Sequence, residues 1–204
     1  MKKLFLLLVM LISFTQASLA DELIAPDVFL KSSLDEVVDT LKGDPSILRA
    51  PPKMEAYVSE RILTQFDMAL LSKSIVGEQI WAKASTEDQD SLTSEMNVFF
   101  SHIIAKTLSE FDNQTLTYDE TTFSSDKERV AIKGRLLDKK DEAVSFNFRL
   151  IKSASTWKIY DLTLGGVDLI FTYRSNFKPI LEEGGVAKLA AELRKKNLAV
   201  AAIK

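Results

Sequence analysis

Apolar residues in the first half of the chain recur every three or four positions, which is the period of an amphipathic α-helix. The pattern predicts three helices and then a longer one with a wide apolar face, over Asp27–Lys42, Lys53–Leu63, Asp67–Val76 and Glu87–Glu110. Thr86 is the predicted N-cap of the long helix, because a hydroxyl there can accept a hydrogen bond from the first turn. Adjacent Phe99 and Phe100 lie near the middle of its apolar face.

The period changes to two after the long helix, which is the spacing of a half-buried strand. Four strands are predicted, over Gln114–Phe123, Arg129–Leu137, Glu142–Lys152 and Trp157–Leu164. Gly165 and Gly166 are predicted to end the sheet, and two helices should follow, over Val167–Leu181 and Val186–Asn197. An antiparallel sheet with one apolar face needs a cover, which the helices can supply. This order predicts an α+β fold, a curved four-stranded antiparallel sheet wrapped by helices that can enclose a cavity.

Residues 1–20 have the layout of a secretory signal peptide. Lys2 and Lys3 precede an apolar run from Leu4 to Phe14, and small residues stand before the predicted cleavage point after Ala20. A run of about 11 residues is shorter than the roughly 20 that a membrane-spanning helix needs, although an uncleaved anchor is the alternative. We therefore predict residues 1–20 to be a signal peptide and residues 21–204 to be a single exported domain.

Composition excludes several classes of function. The chain carries a formal net charge of −3, which becomes more negative when the leader is removed, so it has no electrostatic reason to bind nucleic acid. It contains no cysteine, which rules out disulfides, thiolate catalysis and cysteine metal sites. His102 is the only histidine and has no second histidine or cysteine with which to form a catalytic pair. We therefore predict neither catalytic residues nor a metal site.

One acidic residue is a candidate for catalysis. Asp161 lies on the fourth predicted strand, and a carboxylate buried in a curved sheet can act as a general base with a raised pKa. The alternative, which we favour, is an ion pair or a backbone hydrogen bond, with Arg174 as the candidate partner.

Three separated segments together resemble one family. They are Phe66–Ala69 with Val76, Gly77 and Trp81; Thr86–Gln89 before Phe99 and Phe100; and Trp157–Asp161 with Gly166, Val167, Tyr173–Ser175 and Phe177. With the leader in front, they resemble the MlaC family, also called the toluene-tolerance family, over about residues 27–197. Its members are the periplasmic phospholipid-binding components of the maintenance-of-lipid-asymmetry system. Gly165 departs from the resemblance, because an acidic residue is expected before the Gly-Val pair.

The resemblance implies both a fold and a function. It implies an NTF2-like arrangement, in which helices wrap a four-stranded sheet and leave an apolar pocket for the acyl chains of a glycerophospholipid. It implies a periplasmic carrier, not an enzyme, that shuttles phospholipid between the outer and inner membranes and maintains outer-membrane lipid asymmetry. It also implies docking to an inner-membrane ABC transporter complex and to an outer-membrane lipoprotein. We therefore expect a monomer with phospholipid as cargo and no cofactor.

The residues of the predicted pocket follow from periodicity, because the inner faces of the sheet and of the long helix should line it. The first candidates are Phe99, Phe100, Ile103, Val144, Phe146, Phe148 and Tyr160, and the second are Phe66, Leu70 and Ile170. Arg174 and Lys158 are candidates for a contact with phosphate, with a surface ion pair as the alternative.

Two other hypotheses remain open. One is an NTF2-like enzyme that uses Asp161 as a general base on a small apolar substrate. The other is a structural periplasmic protein, because the 12 phenylalanines of the chain also suit a filled core without a cavity.

Overall fold

Helices occupy both ends of the described chain and strands occupy its middle, as the hydrophobic pattern predicts. The computed structural model describes residues 23–140 and 142–202, so the predicted signal peptide and its cleavage point lie outside the described residues. The helices are α1 Pro26–Gly43, α2 Pro51–Tyr57, α3 Met68–Val76, α4 Glu78–Trp81, α5 Thr86–Ser109 and α6 Leu169–Ala201. The strands are β1 Thr115–Phe123, β2 Arg129–Leu137, β3 Ala143–Ser153, β4 Thr156–Leu164 and β5 Val167–Asp168. The predicted α+β class is therefore confirmed.

Side-chain caps set where two of the helices begin. Asp67 caps α3, because its carboxylate accepts a hydrogen bond from the Leu70 N–H at 2.9 Å. Ser85, not the predicted Thr86, caps α5, and its hydroxyl accepts a hydrogen bond from the Asp88 N–H at 3.1 Å. Ser and Thr are both good caps and stand side by side, so the sequence pattern could not decide between them.

Short elements depart from the predicted helices after α2 and after α3. The second predicted helix does not run to Leu63 as a single α-helix, because a π-helical turn over Val58–Ile62 and a 3-10 turn over Leu63–Gln65 follow α2. The short helix α4 was not predicted, and it begins directly after Gly77 ends α3.

Within the described residues, the sheet is an antiparallel meander of five strands, in the order β1-β2-β3-β4-β5. The prediction of four strands is wrong, because Gly165 and Gly166 turn the chain instead of ending the sheet. Their φ angles of +57° and +81° suit a tight two-residue hairpin turn, and β5 pairs back on β4. Asp168 then caps α6 by accepting a hydrogen bond from the Phe171 N–H at 2.8 Å. The last helical region therefore begins later than predicted.

A bulge changes which side chains of β4 face the core. The register of β4 against β3 shifts at Tyr160, which is the extra residue. Because side chains alternate along a strand, residues beyond a one-residue shift change face. The core-facing residues are accordingly Trp157 and Ile159 before the bulge and Leu162 and Leu164 after it.

In the part of the chain that the structure describes, two apolar clusters form the interior. The helical cluster joins α2, α3, α5 and α6, and includes the buried side chains of Leu71, Met96 and Leu189. The sheet cluster lies on one face of β2, β3 and β4 and is covered by Leu30 of α1. Leu41, near the other end of α1, belongs to the helical cluster. Helix α1 therefore contributes to both clusters.

Helix α6 is broken at the predicted glycine pair. Gly184 and Gly185 leave the helical conformation, and Gly185 adopts φ +64° and ψ −155°. The break separates an amino-terminal part, residues 169–183, from a carboxyl-terminal part, residues 186–201. Within the described residues, no helix is both long enough and apolar enough to cross a membrane.

Candidate functional site

Phe66 connects the two apolar clusters, because its ring packs against both. It lies just before α3 and forms a parallel bridge with Ile159 of β4. The neighbouring Asp67 N–H donates a hydrogen bond to the Ile159 carbonyl at 2.8 Å. This contact ties the helical layer to the sheet. The interior between helices and sheet is therefore continuous and apolar at Phe66.

Four aromatic rings meet where α5 packs against α6, and we name them the aromatic cluster: Phe99, Phe100, Tyr173 and Phe177. Phe99 and Phe100 lie edge-on to Tyr173, with ring centroids 5.4 and 5.1 Å apart. Phe177, one helical turn beyond Tyr173, lies 5.9 Å from Phe99. Such pairs stabilise by about 0.5–1.5 kcal/mol beyond the area that they bury. Burial in this cluster raises the pKa of Tyr173.

A groove of about 620 Å³ opens beside the aromatic cluster, between α5 and the two parts of α6. Its volume lies within the range of roughly 300–1,000 Å³ that is usual for pockets that bury small ligands. Its apolar lining residues include Phe99, Phe177, Ile180, Leu189, Leu193 and Ala199. All of its lining residues belong to α5 and α6, so this α5–α6 groove is not the space between helices and sheet in which the pocket is predicted.

A smaller hollow of about 290 Å³ lies between α1 and β1. Its lining includes the charged side chains of Asp27, Lys31 and Glu120. The Lys31 ammonium lies 5.9 Å from the centroid of the Tyr118 ring. Burial, together with the charge of Asp35, raises the pKa of Tyr118 to about 12. Its volume lies below the roughly 300–1,000 Å³ that is usual for pockets that bury small ligands, so this hollow is a poor site for acyl chains.

Seven of the ten predicted pocket residues lie in the apolar interior. Phe99, Phe100, Ile103 and Ile170 belong to the helical cluster, Phe146 and Phe148 belong to the sheet cluster, and Phe66 belongs to both. Of these, Phe99 also lines the α5–α6 groove. The structure therefore brings most of the predicted lining together in two adjoining groups, and contact of these residues with lipid stays a prediction.

The other three predicted pocket residues lie elsewhere. Tyr160 is the bulge residue of β4, and its ring lies 6.0 Å from the Arg129 guanidinium, outside both apolar clusters. Val144 is 44% exposed near the start of β3. Leu70 is half-buried on α3 and belongs to neither cluster. The prediction for Tyr160 assumed unbroken alternation along β4, which fails at the bulge. The prediction for Val144 assumed that the helices cover all of β3, but its first residues are exposed.

Asp161 is fully buried, with both carboxylate oxygens engaged. One oxygen accepts a hydrogen bond from the Arg149 guanidinium at 2.5 Å, and the other accepts one from the Leu162 N–H at 2.9 Å. Burial, and next the charge of Asp168, raise the pKa of Asp161. A general base must reach the proton that it removes, and no face of this carboxylate is open. The arrangement is that of a structural ion pair.

The two cations considered for a phosphate contact are committed to backbone groups. Arg174, the predicted partner of Asp161, instead donates a hydrogen bond to the carbonyl of Ser74. Lys158 donates a hydrogen bond to the carbonyl of Thr64 at 2.6 Å. The predicted pair between Asp161 and Arg174 is therefore wrong, because the register of β3 and β4 places Arg149 opposite Asp161.

His102 joins α5 to α2. Its Nδ1 lies 2.9 Å from a carboxylate oxygen of Glu55, and the Ser101 hydroxyl donates to the Glu55 carbonyl at 3.3 Å. Burial lowers the pKa of His102. Within the described residues, no group of three or more histidine, aspartate or glutamate side chains could hold a metal ion.

None of the predicted pocket residues belongs to the part of the groove that α6 forms. Tyr173 and Phe177 are four residues apart and so share a helix face, which was a usable signal. Leu193 comes to the same groove only because α6 folds back after its glycine break. Lys195 and Lys196 carried no signal, because charged residues on a helix usually form a solvated face.

Comparison with known proteins identifies relatives over most of the chain. The family model described as MlaC protein matches residues 31–195. The intermembrane phospholipid transport system binding protein MlaC of Haemophilus influenzae is 18% identical over 174 residues, which cover 83% of this chain and 81% of that protein. The structure of a phospholipid-binding protein from Ralstonia solanacearum, in complex with a phospholipid, matches with a TM-score of 0.77 and 26% identity, over 86% of this chain and 98% of that one. Because the family model spans most of its length, this chain belongs to the MlaC family.

Proposed function

We propose that this protein is a periplasmic carrier that shuttles glycerophospholipid between the outer and inner membranes and so maintains outer-membrane lipid asymmetry. The observation that carries the proposal is the apolar α5–α6 groove beside the aromatic cluster. The proposal is supported by the related protein from Ralstonia solanacearum, which is in complex with a phospholipid. The name of the Haemophilus influenzae relative supports the transport role.

The energetics of lipid transfer explain what such a carrier must supply. Burial of a methylene group stabilises by about 0.8 kcal/mol, so two chains of about 15 methylenes each resist exposure to water by on the order of 20 kcal/mol. A free lipid therefore crosses an aqueous compartment too rarely to be useful. A carrier offers an apolar lining of similar affinity to a bilayer, because tighter binding would prevent release. No covalent bond is broken, so this function needs no catalytic group.

We propose that the acyl chains occupy the groove and the adjoining interior. Phe99 belongs to both the groove and the helical cluster, and Phe66 continues from the helical cluster to the sheet cluster. A chain that follows these residues would contact most of the predicted lining. Phe66 is half-buried, so it can be replaced with less disturbance than the fully buried residues around it.

Native mass spectrometry tests the carrier function directly. The protein is purified from the periplasm without detergent, and its mass is compared before and after extraction with organic solvent. The expected result is a mature chain without residues 1–20 that carries a mass increment equal to one or more phospholipids, and the increment disappears on extraction. A mature chain without an increment, which also takes up no lipid from vesicles, would overturn the proposal.

A matched pair of variants tests the lining. Phe66→Ala removes the ring that joins the two clusters, whereas Phe123→Ala removes a ring that is 47% exposed on β1. We expect Phe66→Ala to reduce the lipid retained per folded molecule and Phe123→Ala to retain as much as wild type. Circular dichroism confirms folding of both. Equal retention of lipid by the two variants would show that the lipid does not contact the Phe66 ring.

The same assay separates a carrier from an enzyme that uses Asp161. Asp161→Asn keeps the shape of the side chain but removes the charge that a general base needs. We expect folded Asp161→Asn to retain its lipid, because the carboxylate is buried away from the groove. Turnover of a small apolar substrate by the wild-type protein that is lost in folded Asp161→Asn would favour the enzyme instead.

The proposed partners follow from the family and are tested separately. We propose that the monomeric carrier docks transiently to an inner-membrane ABC transporter complex and to an outer-membrane lipoprotein. Cross-linking of the carrier in intact cells should recover both. Recovery of neither, with lipid still bound to the carrier, would reject the docking partners alone.

A further inference from the structure

Two lysines on the carboxyl-terminal part of α6 line the α5–α6 groove. The Lys196 ammonium lies 5.0 Å from the centroid of the Phe99 ring, and adjacent Lys195 lines the same groove. In the part of the chain that the structure describes, neither ammonium lies at ion-pair distance from a carboxylate. Both are therefore available to an anion that occupies the groove.

Other cations of the same helix are already paired. Lys178 lies 3.7 Å from the Glu182 carboxylate, and Arg194 lies 2.7 Å from the Glu95 carboxylate. Lys195 and Lys196 differ from these neighbours because neither is paired with a carboxylate of the described residues. The chain as a whole carries a net charge of −3. The two lysines form a local excess of positive charge on an acidic protein.

One acidic residue also lines the groove. Glu192 stands with Lys195 and Lys196, so the charged lining of the groove has a surplus of one positive charge. An aromatic and aliphatic lining lies beside these charges, with Phe99 under Lys196. An amphiphile with an apolar chain and an anionic head fits both parts, because ammonium groups form strong hydrogen bonds with phosphate oxygens.

We propose that Lys195 and Lys196 make the α5–α6 groove selective for glycerophospholipids of net negative charge. The proposal rests on the phospholipid carriage proposed above and adds the class of headgroup and the residues that recognise it. Glu192 opposes the selectivity, because its carboxylate repels an anionic head. A zwitterionic lipid gains less from the two lysines, since its own positive group competes for the phosphate.

Uptake of labelled lipid from vesicles of constant composition tests the selectivity. Donor vesicles contain equal amounts of phosphatidylglycerol and phosphatidylcholine, and a trace of one lipid carries a fluorescent acyl chain. Because the vesicle surface is the same in both arms, attraction of the protein to the membrane cancels. The ratio of phosphatidylglycerol uptake to phosphatidylcholine uptake then reports recognition of the headgroup alone.

The lysine variants and the Glu192 variant are expected to change the uptake ratio in opposite directions. Lys195→Gln and Lys196→Gln should each lower the uptake ratio by up to about fivefold, which is the upper end expected for one solvent-exposed ion pair. Glu192→Gln should raise the ratio. The control is Lys178→Gln combined with Lys188→Gln, which removes two charges of the same helix outside the groove and should leave the ratio at the wild-type value.

A second pair of variants tests whether the groove is the site. Ala199 lines the groove, and Ala199→Trp should fill part of it and reduce the uptake of both lipids. Ala187 is exposed on the same part of α6 outside the groove lining, so Ala187→Trp should leave uptake unchanged. Equal uptake by the two tryptophan variants would overturn the inference, because the lipid would then bind elsewhere.

The outcomes separate this inference from the function on which it rests. An unchanged ratio in the double Lys195→Gln and Lys196→Gln variant, or an equal fall in the control, overturns the headgroup selectivity and leaves phospholipid carriage intact. Failure of the wild-type protein to take up either lipid overturns both. The selectivity is established if the uptake ratio falls for the Lys195→Gln and Lys196→Gln variants, rises for Glu192→Gln and stays at the wild-type value for the control.

Discussion

Replacement of Gly134 by alanine tests how the sheet cluster packs. Gly134 lies on β2, between Tyr118 of β1 and Phe146 of β3. A Cβ atom at residue 134 would stand 2.3 Å from the Phe146 ring and 2.2 Å from the carbonyl oxygen of Thr117. The ring can tilt, but the carbonyl belongs to the backbone of β1. Both must move to admit one methyl group.

The expected cost has two parts. Insertion of a methyl group into a packed site costs about 1–3 kcal/mol. The edge-to-face contact of Phe146 with Tyr118, at 5.9 Å between ring centroids, is disturbed as the ring tilts, at a further cost of about 0.5–1.5 kcal/mol. We therefore expect Gly134→Ala to lower the free energy of unfolding by about 1.5–4.5 kcal/mol. The Tm should fall by about 2–4 °C for each kcal/mol.

Guanidinium chloride denaturation followed by circular dichroism measures the change, and calorimetry gives Tm. The matched control is Gly43→Ala at the end of α1, where a Cβ atom would meet no other atom within 4 Å. That variant should change the free energy of unfolding by less than about 1 kcal/mol, and any effect should be stabilising, because alanine restricts the unfolded chain. Equal stability of the two variants would refute the packing of Phe146 over Gly134.

Three further predictions concern helix ends and titration. Ser85→Ala should lower the free energy of unfolding by about 1 kcal/mol and Thr86→Ala should not, because Ser85 caps α5; equal losses on denaturation would contradict this assignment. Gly185→Ala should cost about 1–3 kcal/mol, since few residues with a Cβ atom adopt φ +64° and ψ −155°, and an unchanged Tm would argue against that conformation. Burial lowers the pKa of His102 in the folded state, so its contribution to stability is full above the unfolded pKa of about 6.5 and is lost as pH falls from there through the lower folded pKa. Urea midpoints measured between about pH 7.5 and about pH 5 should fall less for His102→Gln than for wild type, and parallel curves would exclude His102 as the cause.

The regular elements could be predicted because their signals are local. The bounds of β2 agree with the prediction at both ends, since a clean alternation of apolar residues is followed by a polar turn. The pair Gly165-Gly166 was ambiguous, because two glycines can either end a sheet or form a hairpin turn. The strand that follows, β5, contains only two residues and has no period to detect.

The site was predicted less completely than the fold. Phe99 and Phe146 are buried as periodicity indicates, whereas Tyr160 is displaced by a bulge that shifts the register of β4. A bulge adds one residue without a distinctive sequence signal, so alternation counted through it assigns the wrong face. The groove could not be predicted from periodicity either, because its lining residues come from two helices and from both sides of the glycine break in α6.

By itself, the sequence determined the α+β order of elements, their apolar faces and the family resemblance, because each depends on residue types at fixed spacings along the chain. Only the tertiary structure decided that α6 folds across α5, that Phe99 meets Tyr173 and Phe177, and that Arg149 rather than Arg174 pairs with Asp161. These contacts join residues that are distant in the chain. Their geometry follows from strand register and helix packing, which the spacing of residues within one segment does not contain.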